Sequence, residues 1–156
     1  MDLRRLKPID AVTGFFGAAL IGLLWAPWYK PSVNAWQAMS VNDVILCIAG
    51  LLGVWLVVMT ATQSTAAVPI ASAVFATFVG MLAFVLAAIR LVFPPDLGPG
   101  PTGRGIGVWL GTAAALGVFV SAAATMRDER RGAPGTPSVP VTDLPAPRVS
   151  EGGSRA

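Results

Sequence analysis

The chain has no histidine and only one cysteine, Cys47. The usual ligands of zinc, haem and iron-sulfur centres are therefore missing, and no internal disulfide can form. Charge is also scarce. Only 12% of residues are charged, against about a quarter in soluble domains, so water is the wrong solvent to assume. No Ser-His-Asp or Cys-His set, phosphate loop or pair of surface acids is available for catalysis. We expect no catalytic residue, no metal site and no cofactor, and read the chain as a non-enzyme. The formal net charge of +3 sits at the chain ends and forms no basic patch, which argues against nucleic-acid binding.

What is present is apolar sequence: 54% of residues are hydrophobic and the mean hydropathy is +0.69. A helix needs about 20 apolar residues to cross a hydrocarbon core of about 30 Å. Four segments qualify, at about 9–28, 43–62, 69–93 and 106–126. Each is apolar all round, as membrane helices are. The first is too long for a signal-peptide h-region and runs into Trp25, Pro27, Trp28 and Tyr29 without a small-residue cleavage site. We read it as a retained helix. The fold class expected is all-α: an integral membrane four-helix bundle of the cell membrane, multi-pass, with the lipid bilayer as its surroundings.

Orientation follows from the basic residues near the helix ends. Arg4, Arg5, Lys7, Arg127, Arg130 and Arg131 fall on one side, and Lys30, Arg90 and Arg104 on the other. Both termini, residues 1–8 and the tail, are thus expected in the cytoplasm. From residue 127 to residue 156 the chain becomes rich in Pro, Gly, Ser and charge, a composition that predicts a disordered C-terminal tail. Pro8 and Pro69 suit first helical turns, and Ser40 with Asp43 has capping-box spacing. Gln63-Ser64-Thr65 and Gly98 to Gly105 read as turns.

Small residues recur every four positions: Gly14, Ala18 and Gly22; Ser72, Ala76 and Gly80; Gly103, Gly107, Gly111 and Ala115. This spacing lets helix backbones approach closely. For the last set it predicts a helix-packing face, either within the bundle or in a homo-oligomer. Trp25, Trp28, Tyr29, Trp36 and Trp109 gather on the outer side and read as an interfacial aromatic belt. The stretch Asn34 to Val41 is expected to lie half-buried over the bundle.

Only Asp10, Asp43 and Arg90 bring charge to the spans. Intramembrane charge is costly and usually functional, but each of these lies at a helix end whose dipole favours its sign. At mid-depth stand only hydroxyls such as Thr77 and Thr112. The runs from Asp43 to Thr62 and from Pro69 to Arg90 are nearly equal in length and return Arg90 to the level of Asp43, which predicts either an ion pair at the outer face, if the two share a helix face, or two independent helix-end charges.

The segments Trp28-Tyr29, Asn34-Ala35-Trp36-Gln37-Ala38, Asp43, Arg90 to Pro95 and Trp109-Leu110-Gly111 resemble a group of small, uncharacterised four-helix membrane proteins of high-GC Gram-positive bacteria, over about 9–129. The resemblance implies the four-helix membrane fold and supplies no catalytic residue. The function expected is that of a non-enzymatic interaction or accessory component of the cell envelope, bound to itself or to other membrane proteins. A subunit of a small-molecule transport or permeation system is the alternative.

Overall fold

The computed structural model describes residues 7–30, 32–38, 41–62, 67–97 and 102–130. Residues 127–130, expected in the disordered tail, instead continue the last helix; residues 1–6, Ser40, the Gln63-Ser64-Thr65 turn, the start of the Gly98 to Gly105 turn and the rest of the tail from residue 131 lie outside the described residues. Four apolar helices dominate: α1 (Pro8–Leu23), α3 (Val41–Thr62), α4 (Ala67–Val92) and α5 (Ile106–Arg130). Between α1 and α3 lie a small hairpin, β1 (Pro27–Tyr29) and β2 (Val33–Asn34), and a one-turn helix, α2 (Ala35–Ala38).

Three helices are long and apolar enough to cross a membrane, at Val41–Thr62, Ala71–Val92 and Ile106–Arg127; α1 is a shorter apolar helix. The expected first span was too long by five residues, since α1 stops at Leu23 and not at Trp28. Pro27 is the physical reason. It cannot donate a helical N–H, and it pushes the residue before it out of the helical region. The chain leaves α1 through tight bonds from the amides of Leu24, Trp25 and Ala26 to the carbonyls of Ile21, Gly22 and Leu23 (3.2, 3.2 and 3.1 Å).

The helices form a ring in which α1 and α4 each pack against both α3 and α5, and α3 and α5 touch more weakly across it. Neighbours run antiparallel. Gly14 of α1 faces Val57 of α3, and Gly17 faces Gly50 and Gly53. Gly80 of α4 lies against Phe119 of α5, and Thr77 meets Met126. The centre is filled by Leu20, Leu24, Leu46, Leu56, Val108 and Val118, all fully buried, with alanines such as Ala49, Ala83 and Ala115 between them. The outside is apolar as well, exposing Phe15, Trp55, Phe75 and Phe78, a surface that suits hydrocarbon better than water.

Hydroxyls within the helices bond their own turns. Thr77 donates to the Ala73 carbonyl (2.8 Å) and Thr112 to that of Val108 (2.7 Å), the arrangement that satisfies a hydroxyl where no water is at hand.

Candidate functional site at the capped end

One end of the ring carries the hairpin, α2 and the segment before α5, folded together as a cap. β1 pairs with β2 antiparallel, and on its other side Tyr29 bridges to Arg104. The Lys30 amide donates to the Gly103 carbonyl (2.8 Å), and the Gly105 amide donates to the Trp28 carbonyl (2.7 Å). Asn34 and Gln37 cap each other across α2: the Gln37 amide donates to the Asn34 side chain (3.0 Å) and the Asn34 amide to the Gln37 side chain (3.2 Å). The half-buried cover expected from Asn34 onward is this element.

The cap closes two helix ends. The last four carbonyls of a helix have no partner inside it. For α4 these are Ile89, Arg90, Leu91 and Val92. The Phe93 amide takes the first (2.7 Å), the Tyr29 hydroxyl the second (3.1 Å), and Arg104 the last two through Nε (2.6 Å) and Nη2 (3.1 Å). At α1, the indole N–H of Trp28 donates to the Leu23 carbonyl (2.7 Å), and the Ala35 amide to that of Leu24 (3.2 Å). Two helix C-termini that would otherwise need water are thus satisfied by residues of the cap.

This arrangement corrects the belt expected from the sequence. Trp25, Trp36 and Trp109 are exposed, and the rings of Trp25 and Trp36 stand 5.8 Å apart. Trp28 and Tyr29 are not interfacial: both are completely buried, because their polar atoms have helix carbonyls to bond and their rings fill the space under the hairpin. The small-residue face of α5 is corrected in the same step. Added Cβ atoms at Gly107 and Gly111 would strike the Trp28 indole, and one at Gly103 would meet the Lys30 side chain. No other helix, and no second copy, is needed to explain that stripe. At Gly107 the Pro27 carbonyl also comes within 2.9 Å of such a Cβ, and helix backbone approaches helix backbone at Gly17, where a Cβ would fall 2.5 Å from the Gly50 carbonyl.

Beneath the cap lies Asp43, in the first turn of α3 and fully buried. Neither carboxylate oxygen has a hydrogen-bond partner among the described residues. The ion pair with Arg90 expected from the sequence is therefore not closed. Arg90 is half-buried at the end of α4 and lies within electrostatic range of the carboxylate. Tyr29 stands close enough to Arg90, Asp43 and Arg104 to feel all three charges. Burial, the largest effect, pushes its phenol above the ordinary value of 10.0, with the two arginines opposing and Asp43 assisting.

At the opposite end a second polar contact escaped the sequence. Asp10, almost fully buried, accepts a hydrogen bond from the Thr125 hydroxyl (3.1 Å), joining the start of α1 to the last turns of α5. Thr13, Ser121 and Thr125 are buried around it. Cys47 is a free, half-buried thiol. No protein-family model, curated protein or solved structure matches the chain.

Proposed function

We propose that this chain is a multi-pass cell-membrane protein that works by association, as a non-enzymatic interaction or accessory component of the envelope. In this reading α1 completes a fourth span beside α3 and α5, both termini face the cytoplasm, and the cap faces outward. The basic residues Lys7 and Arg127 at the terminal end support that orientation.

The observation that carries the reading is the division of labour between the two parts. The bundle centre is filled by apolar side chains such as Leu20, Leu46 and Val108. The cap, by contrast, is fixed on two helix ends and presents the exposed Trp25–Trp36 pair. Such a rigid aromatic surface on a packed anchor suits recognition, since aromatic residues give large contact area at low conformational-entropy cost. A transport or permeation subunit draws no support from a centre packed in this way.

The test is crosslinking of the full chain in intact membranes, followed by purification in mild detergent. A discrete adduct that weakens in the Trp25→Ala, Trp36→Ala double variant is the result expected. Repeated recovery of monomer alone would sink the proposal.

A further inference from the structure

The buried Asp43 carboxylate has no hydrogen-bond partner among the described residues, the complementary Arg90 guanidinium lies within electrostatic range of it, and Tyr29 lies within range of both. A buried carboxylate without a donor contributes nothing favourable to the state that buries it. The side chain able to satisfy it stands at the end of α4, on a long flexible stem. Tyr29 lies within electrostatic range of both, and its hydroxyl is engaged on the backbone carbonyl of the same Arg90.

We propose that the cap is a two-state latch. With Tyr29 seated on the end of α4, as in this structure, Asp43 and Arg90 stand apart. When Tyr29 leaves the Arg90 carbonyl, the guanidinium closes on Asp43, and the new salt bridge compensates the lifted cap. The two states exchange one set of bonds for another: the phenol hydrogen bond for a charge-assisted pair. Of the other charges at this end, Arg104 belongs to the cap's own lattice through its side-chain bonds to Leu91 and Val92, while the Lys30 and Asp96 side chains are exposed. The latch deepens the reading of the cap as a recognition surface. The Trp25–Trp36 pair flanks the junction where the Ala35 amide meets the Leu24 carbonyl, so a partner gripping those rings pulls on the same element.

Amide hydrogen exchange on the full chain in lipid nanodiscs tests the latch without any partner, so its failure is separable from failure of the association reading. The reporters are the amides of Lys30 and Gly105, which are bonded only while the cap is seated. Tyr29→Phe removes the catch, and exchange at both amides rises at least about threefold. Asp43→Asn and Arg90→Gln remove the pair that holds the open state, and exchange falls by at least about threefold. This sign is opposite to that of an ordinary stabilising ion pair. Tyr29→Phe combined with Asp43→Asn returns exchange toward the unmodified rate. Arg90→Gln, at a half-buried position, and Asp43→Leu, which removes the polar group altogether, cover the case in which Asp43→Asn folds poorly. Unchanged or faster exchange in Arg90→Gln, or no acceleration in Tyr29→Phe, overturns the latch.

Discussion

The indole of Trp28 rests directly on the bare Cα of Gly111, one turn beyond Gly107, so that a residue of the cap lies where another helix was expected to pack. The contact joins β1 to the start of α5 and leaves no room for a methyl group. Gly111→Ala should lower stability by about 1–3 kcal/mol through overpacking. Trp28→Ala, which empties the slot and takes one of two donors from the Leu23 carbonyl, should cost about 3–5 kcal/mol. Thermal unfolding in detergent measures both. A Gly111→Ala protein as stable as the parent would show that the indole has another place to go.

At the terminal end, Thr125 offers one hydroxyl proton to two acceptors, the Asp10 carboxylate (3.1 Å) and the Ser121 carbonyl (3.2 Å). Thr125→Val keeps the shape and removes one donor from a buried carboxylate, at an expected cost of about 1–3 kcal/mol. Thr112→Val serves as the comparison, because its hydroxyl bonds only its own helix. That change should fall within about 0.5 kcal/mol. Equal costs for the two would mean that the contact between α1 and α5 adds nothing.

Tyr29 is the only tyrosine in the chain, so tyrosinate absorbance reports it alone. Its ionisation should occur above the ordinary value of 10.0, because burial disfavours the phenolate. The sign of the linkage follows. An acid whose folded value is raised lends stability that is complete below its unfolded value and is lost as pH rises through the folded one. The cap should therefore stay seated through neutral and mildly alkaline pH and loosen only above the ordinary phenol range. A titration at or below that value would mean that Arg90 and Arg104 outweigh burial or that the ring is in water.

The long spans were legible in the sequence because hydrocarbon imposes one rule on every residue in them. The ends of α3 and α4 lie within two residues of those expected. The cap was less legible, for reasons specific to its residues. Tryptophan and tyrosine near a helix end suit the headgroup level, and only the carbonyls of Leu23 and Arg90, brought close by the fold, explain why Trp28 and Tyr29 are buried. Gly107 and Gly111 carry the spacing of a helix contact, which does not reveal whether a helix or an indole fills it. Asp10 and Thr125 are 115 residues apart, and no local pattern links them. Pro27 was the readable sign that the first span ends early, and it lay inside the expected helix.

Orientation rests on charge and is open to direct test. With Cys47 replaced by serine, a cysteine placed at Ser32 in the hairpin should react with an impermeant thiol reagent in intact cells. One at Ser138 in the tail should react only after the membrane is opened. The distribution of basic residues puts the tail inside. Labelling at Ser138 in sealed cells would reverse the topology and move the cap to the cytoplasmic face.

The contact between α1 and α3 separates two glycines that the spacing pattern alone cannot rank. Gly22 belongs to the regular set Gly14, Ala18 and Gly22, yet a Cβ there meets nothing within 4 Å. Gly17 lies outside that set and is fully enclosed: its Cβ would fall 2.5 Å from the Gly50 carbonyl and 3.2 Å from the Gly53 Cα, both on the backbone of α3. Backbone cannot rotate aside as a side chain can, so a methyl at Gly17 forces the helices apart. In a membrane, where close packing and not water exclusion holds helices together, that separation also weakens the contacts on either side. Gly17→Ala should therefore cost about 1–3 kcal/mol. Gly22→Ala should be neutral, or should stabilise by up to about 1 kcal/mol, since alanine is the better helix former. Thermal unfolding of the two variants in the same detergent decides the matter. Destabilisation by Gly22→Ala equal to that by Gly17→Ala would mean that α1 meets its neighbours along the other stripe.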